Sequence, residues 1–318
     1  MSALSSSHPI FSKAVALSPS SPPSSHRLAS CHERSGGGFR SKLVLSFALA
    51  LLVATAGGHA SEHEDRTAFR VCADPHYLPW SNKRGEGFEN EIASLLAKSL
   101  DLPVEYTWFP QRMGFIRNTL RARSEGGDYR CDVVMGLPSG YELAITTRPY
   151  YHSTYALVYI KGRGYDDIRT ARDLQALAPE RRDRLRFGLA ERNPGTMWLS
   201  RYDLLDRIEV AYASQSGDPN ERPGQPEQED LLEGKIDFTF MWGPIAGHFK
   251  RSNPDKPIVV IPMPSEPGMR MHFGISAGVR FADKERKEEL QALLDRHADE
   301  IEAILRKHEV PLVSDKGL

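Results

Sequence analysis

"FRVCADPHYLPWSNKRGEGFENEIASLLAKSLDLPVEYTWF" runs from Phe69 to Phe109 and decides the fold. Phe69–Pro75 alternates apolar and polar side chains as a strand does, then stops at a proline-rich turn. Gly87 opens a helix. Glu89 and Glu91 fall in its first turn, where the helix dipole favours negative charge, and Ile92, Leu95, Leu96 and Leu100 share one face. "PVEYTWF" then reads as a second strand. A strand, a helix and a strand in close succession form the unit from which parallel sheets are built.

The pattern extends in both directions along the chain. "MGFIRNTLRAR" has helical spacing, and "YRCDVVMGL" leads into a third strand. Parallel order makes the strands near Cys72 and Cys131 neighbours or near-neighbours, within reach of a disulfide. "STYALVYIK" (Ser153–Lys161) is a long strand, after which the pattern restarts. "ARDLQAL", the strand "LRFGLAE", the helix "GTMWLSRYDLL" and the strand "IEVAYA" follow. Ser214–Glu229 reads as a polar loop, long enough to be functional or mobile. "DLLEGKIDFTFMW" ends a helix and gives a strand, "GPIAGHFKRSN" a short helix, and "PIVVIPM" and "MHFGISAGV" two more strands. The end, from Asp283 to Val310, is a long amphipathic helical region. Two α/β units in series, linked by extended segments near Leu157–Lys161 and Val259–Pro264, describe an α/β protein of two lobes. Each lobe holds a mostly parallel sheet flanked by helices, with a hinge between them. The expected boundaries are a leader over 1–60, one lobe over 61–157 completed by 264–318, and the other over 158–263. Open α/β sheets bind ligands beyond the carboxyl ends of their strands, so the loops there are the ones to search.

The first 60 residues stand apart in composition. Met1–Ser41 is rich in Ser, Pro and Gly, and Arg40 and Lys42 flank an apolar run from Leu43 to Ala56. Gly58 and Ala60 offer small residues for cleavage, so the segment reads as a secretory signal, too short to span a bilayer comfortably. Its loss removes five basic residues and one acid, leaving 36 basic and 41 acidic residues of the original 41 and 42. That acidic balance argues against nucleic acid as a partner. Cys72 and Cys131 remain, and two cysteines in an exported chain favour a disulfide.

With these residues in place, the chain resembles the family 3 solute-binding proteins of ABC transporters, whose fold is the type II periplasmic binding protein. Within that group "VCADPHYLPWSN", "GEGFENEIA", "YTWFPQRMGFIRNTLRA", "CDVVMGLP", "TTRPYYHSTYALVY" and "WGPIAGHF", in this order, resemble the J-type periplasmic accessory proteins of methanol dehydrogenase systems. The resemblance implies a periplasmic helper of a PQQ-dependent methanol dehydrogenase, with that dehydrogenase and its cytochrome as candidate partners; the residues themselves lead to the expectation of no catalysis and no resident cofactor or metal. It leaves open a transport role with a small solute. Amino-acid-binding relatives grip the α-carboxylate with an arginine about ten residues before "PYY". Here that place holds Ser139-Gly140-Tyr141, while Arg148 lies in a different register. Trp242 falls where those relatives carry the aspartate that holds the ammonium group. A site that has lost both charges is a poor site for a free amino acid.

Several residues are then candidates for the cleft. Trp80 and Trp242 follow strands and should face it; Tyr141 and Tyr150 lie on or beside the same loops, with Pro138 on the rim. Trp198, inside a helix, belongs to the core. Arg112 and Arg117 near a helix start suit a carboxylate, a partner surface or plain solvent. Gly195 and Thr196 open a helix, which makes them either an anion site or an ordinary cap. Glu89 and Glu91 have the modest role of complementing a helix start. A dehydratase would need an acid and a base in the cleft, for which Asp74 and Glu142 are the candidates.

Overall fold

β1 (Phe69–Ala73) sets the frame, because both of its faces are covered. Phe69, Val71 and Ala73 point into one cluster and Cys72 into another on the opposite side. This is how an inner parallel strand behaves, and it explains the nearly continuous apolar run. The computed structural model describes residues 66–213, 218 and 220–318. The leader, its cleavage site and part of the Ser214–Glu229 stretch lie outside the described residues.

After β1 comes a small hairpin, β2 (His76–Tyr77) and β3 (Ser81–Asn82), and then α1 (Phe88–Ser99). Asn90 secures the start of α1: its Oδ1 accepts the N–H of Gly87 at 3.2 Å and of Asn82 at 3.0 Å. Gly87 is required by contact, since a Cβ there would lie 2.1 Å from the Trp80 carbonyl oxygen. Phe88, Ile92 and Leu96 bury the inner face of α1.

β4 (Val104–Trp108) and β5 (Val133–Pro138) flank β1, both in parallel. Between them α2 spans only Phe115–Asn118, not the eleven residues whose spacing looked helical. The Thr119 hydroxyl turns back to the Phe115 carbonyl at 2.7 Å and the chain leaves the helix there. Cys131 lies just before β5, its Cα 5.4 Å from that of Cys72, and a disulfide joins the two. In the chain-entropy account, closing a loop of 59 residues stabilises the fold by about 4 kcal/mol.

Next to the disulfide, Asp132 is buried and fully engaged. Arg70 Nε reaches its Oδ2 at 2.9 Å, Arg280 Nη2 its Oδ1 at 2.7 Å, and Arg286 approaches at 3.4 Å. Burial pushes this carboxyl up, but the hydrogen bonds from Arg280 and Arg70 outweigh it and hold the pKa below the usual value.

β6 (Ile145–Thr146) is followed by β7 (Tyr151–Ile160), the strand shared by both halves of the chain. Its residues Tyr151–Thr154 pair with the return strand His272–Val279, and Tyr155–Ile160 pair with Phe238–Trp242 and Ile258–Pro262. The second half holds α3 (Pro179–Arg182), β8 (Phe187–Ala190), α4 (Gly195–Arg201), β9 (Ile208–Tyr212), α5 (Gln225–Glu233), β10 (Phe238–Trp242), α6 (Gly243–Ser252) and β11 (Ile258–Pro262). The chain returns through β12 (His272–Val279) and ends in α7 (Lys284–Arg296) and α8 (Ala298–Lys307). The strand order is β4-β1-β5-β12-β7-β10-β8-β9, with β11 on β7 and β6 on β12. Parallel wings therefore meet across an antiparallel centre.

Two further expectations needed correction. The Ser214–Glu229 stretch is not loop throughout, because α5 begins at Gln225 with Pro226 in its first turn, where a missing N–H costs nothing. The terminal helical region breaks at His297 into two helices. Among the described residues, no helix is long and apolar enough to cross a membrane.

Candidate functional site

β7, β10 and β12 meet where the two halves change over, and their register gathers three rings. Trp242, at the end of β10, lies opposite Tyr155 of β7, and Phe273 of β12 lies opposite Ser153. Facing residues in antiparallel strands are within side-chain reach. The Tyr155 and Trp242 centroids are 5.4 Å apart, Trp242 and Phe273 5.9 Å, and Tyr155 and Phe273 6.4 Å. The first half adds Tyr77 and Trp80 from the hairpin, stacked at 4.8 Å.

These rings line an opening between the halves with two connected compartments. The aromatic one, about 490 Å³, is bounded by Tyr77, Trp80, Glu89, Gly136, Trp242 and Phe273, among others. The polar one, about 280 Å³, is bounded by Asp74, Arg112, Glu191, Asn193, Asp218 and Glu227, among others. Tyr77, Gln111, Tyr155, Trp242 and Ile245 belong to both.

Asp74 organises the rim rather than standing free. Its carboxylate accepts the backbone N–H of His76 at 2.8 Å and of Gln111 at 2.5 Å. One side chain thus ties together the two loops that carry Tyr77 and Arg112. Arg112 reaches across the opening and donates to the Asp218 carbonyl of the second half.

Glu89 behaves differently from the other acids. Its carboxyl lies over Gly136, whose backbone is left-handed at φ +68, and a Cβ there would sit 2.0 Å from Oε1. Oε1 is buried, with no hydrogen-bond partner among the described residues. Burial pushes this carboxyl up to about 8. The same surroundings raise the hydroxyls of Tyr77, Tyr150 and Tyr151, through burial first and then through charges that include Glu89. Glu227, near the start of α5 on the opposite side, is also buried and pushed up, by burial first and then by Glu221 and Asp230.

The opening gathers some of the residues singled out from sequence and leaves others elsewhere. Trp80, Arg112, Pro138 and Trp242 line it, although Trp80 is 8% exposed and is as much core as cleft. Tyr150 packs behind the aromatic compartment against the first core cluster. Tyr141 packs against the buried cluster around Cys72, Phe115 and Leu137 and borders a shallow surface hollow over Pro138–Leu143. Gly140 is in the turn before it, its N–H donating to Thr146 Oγ1 at 3.0 Å. Arg148 is bound to Asp295 at 2.6 Å and its N–H to Gln291 at 2.6 Å, outside the lining of either compartment. Gly195 is pressed against the Phe240 ring, its N–H taken by Asn193 Oδ1 at 2.8 Å. Thr196 is exposed and its N–H is taken by the Asn193 carbonyl at 3.0 Å. Both amides thus have internal partners. Trp198 is fully buried in the second core. Glu142 is exposed in the shallow hollow, so Asp74 and Glu142 do not come together.

Sequence reasoning passed over Tyr77, Tyr155, Phe273 and the inward role of Glu89. Tyr155 and Phe273 had no local signal, because only the pairing of β7 with both β10 and β12 brings them to Trp242. Glu89 did have one, since it directly follows Phe88, the first buried residue of the helix. Glu91, assigned the same role, instead ties α1 to α8 through Lys307 and His308.

No family model matches the chain. Protein MoxJ of Methylorubrum extorquens is 26% identical over 275 residues, 82% of this chain and 86% of its own. The crystal structure of the periplasmic binding protein XoxJ from Methylobacterium extorquens AM1 has 34% identity and a TM-score of 0.61, covering 78% of this chain and 100% of XoxJ. That of MxaJ from Methlophaga aminisulfidivorans has 26% identity and a TM-score of 0.63, covering 77% and 100%.

Proposed function

We propose, for a chain that belongs to the XoxJ- and MxaJ-type periplasmic binding proteins, that it works in the periplasm as the helper of a PQQ-dependent methanol dehydrogenase. It would hold a segment of that enzyme in the opening between its halves, and it would not itself catalyse. The observation that carries this reading is the wall at the changeover of the strands. By the resemblance Trp242 falls where an amino-acid binder carries the acid for the ammonium group, Tyr155 and Phe273 pack beside it, and Gly140 and its neighbours offer no cation for the carboxylate. Clustered aromatics in a concave site suit the anchoring side chains of a protein partner.

In this reading residues 61–157 and 264–318 form one lobe and 158–263 the other. The hinge runs through β7 between Thr154 and Tyr155 and through the return segment before β12. Export requires the leader to be removed near Ala60. Trp80, Arg112, Pro138 and Trp242 make the contact surface, with Tyr150 supporting it from behind. Tyr141, Gly195 and Thr196 stay outside that surface.

The test is calorimetry of the purified protein with the apo-dehydrogenase of the same organism, run beside a library of small solutes. Micromolar or tighter binding to the dehydrogenase, with no solute raising the melting temperature, is the expected outcome. A second reading is a transport protein for a solute that is not an α-amino acid. It is favoured by the size of the aromatic compartment, about 490 Å³, which is within the range of small-molecule sites. A single stabilising solute, with no dehydrogenase binding, would establish it instead.

A further inference from the structure

Glu89 has a chemistry that neither its helix nor the aromatic wall uses. Its carboxyl rests on Gly136, and both residues line the aromatic compartment. Any side chain at position 136 would occupy the space of that carboxyl. Oε1 is buried without a donor. Leaving a carboxylate unpaired in an apolar setting is costly, and the fold shows at Asp132 that it can bring arginines to a buried carboxylate. Around Glu89 stand aromatic rings instead, and ring faces attract cations.

The wider opening has the same sign. Among the described residues, six carboxyl groups line the two compartments against three guanidinium groups, and burial pushes two of the six, Glu89 and Glu227, toward the neutral form. One of the three, Arg112, already donates across the opening. Glu89 is the one acidic or basic side chain among the described residues lining the aromatic compartment, so an anion finds no cation there and an organic cation finds a counter-charge.

We propose that the aromatic compartment is a recognition site for an organic cation, an alkylammonium or guanidinium group, with Glu89 as its counter-ion and the rings of Tyr77, Tyr155 and Trp242 as its walls. This rests on the opening being the binding site, as argued above. The cation arrives on a free amine or on a lysine or arginine side chain of the dehydrogenase, and the chemistry is the same. Because burial pushes the empty Glu89 carboxyl up to about 8, the site is mostly protonated at neutral pH. A cation entering it drives that proton off to solvent. Affinity therefore rises with pH up to about 8 and then levels.

The experiment is calorimetry on the wild type and Glu89→Gln with n-butylammonium, agmatine, neutral butan-1-ol and the apo-dehydrogenase. Each titration is made at pH 6.5, 7 and 8.5 in buffers of different ionisation heat. The expected result is that a cation or the dehydrogenase binds the wild type about twentyfold more tightly at pH 8.5 than at 6.5. It should release close to one proton at pH 7, bind Glu89→Gln at least tenfold more weakly, and leave butan-1-ol unbound. If the free amines show this, the source is a solute. If only the dehydrogenase does, the source is its side chain. Equal dehydrogenase affinity for both variants, with no proton release and no amine binding, overturns the cation site and leaves the helper role standing. Amine binding without dehydrogenase binding sinks the helper role and keeps the cation site. Equal affinity for butan-1-ol and n-butylammonium overturns the cation site, and no binding by any probe removes both.

Discussion

Asp132 and Glu89 are two carboxyl groups of the same half of the chain, and their surroundings differ in kind. Asp132 lies beside the disulfide with arginines at 2.7 and 2.9 Å and a third at 3.4 Å. Glu89 lies over Gly136 with no donor to Oε1 and aromatic rings around it. The first is held in the charged form and the second is driven toward the neutral one. The contrast separates a carboxylate that holds the fold together from one that the fold tolerates at a cost. A cost retained inside a ligand-sized opening is what the cation site proposed above would put to use.

That contrast can be broken most directly at the stabilising pole. Cys131→Ser, which releases the loop beside Asp132, should lower stability by about 4 kcal/mol in urea titrations under oxidising conditions. Adding reductant should then change the variant little and the wild type by a similar amount. Asp132→Asn should cost about 3 kcal/mol, because Arg280 stays buried after its counter-charge is gone. A loss below about 1 kcal/mol would mean that the network is decoration and that the two carboxyls differ less than their contacts suggest.

Glu89→Gln should act with the opposite sign, and only at high pH. Below pH 4.5 the Glu89 carboxyl is protonated in both folded and unfolded chains, so the substitution should be neutral. Between 4.5 and about 8 the unfolded chain loses its proton while the folded one keeps it, so wild-type stability falls as pH rises. At pH 8 the Gln variant should be more stable by roughly 2–3 kcal/mol, the full shift being discounted because Glu89 borders an open compartment. Equal stability of the two proteins at pH 5 and pH 8 would show that solvent or a neighbour already satisfies the carboxyl. The smallest effect is expected from Trp242→Ala. Trp242 is partly exposed, so stability should drop by only about 1 kcal/mol while affinity for the dehydrogenase falls at least tenfold.

Local pattern made much of the molecule legible. β1, α1 and β4 follow from alternation, a first-turn acid pair and a helical stripe, and the disulfide from two cysteines in an exported chain on strands that parallel order brings close. Trp198 was assigned to the core from its place inside a helix, and it is fully buried there. The helix at Met113–Arg123 was overread because apolar spacing does not register a Thr119 hydroxyl turning back on the backbone. Pro226 hid α5 because a proline marks a helix start as readily as a loop. The site was half legible: Trp242 was marked by its position after a strand, whereas Tyr155 and Phe273 were not marked at all.

By itself the sequence determined the order of strands and helices along the chain, the small acidic excess and the absence of a cation at Gly140. These follow from spacing along the chain, which needs no distant contact. Only the tertiary structure decided which rings share a wall, because β7 must pair with β10 on one stretch and β12 on another to bring Tyr155, Trp242 and Phe273 together. It also decided the role of Glu89. A carboxyl group in the first turn of a helix is ordinary until the strand beside it supplies a glycine for it to rest on and the described residues supply no donor for its buried Oε1.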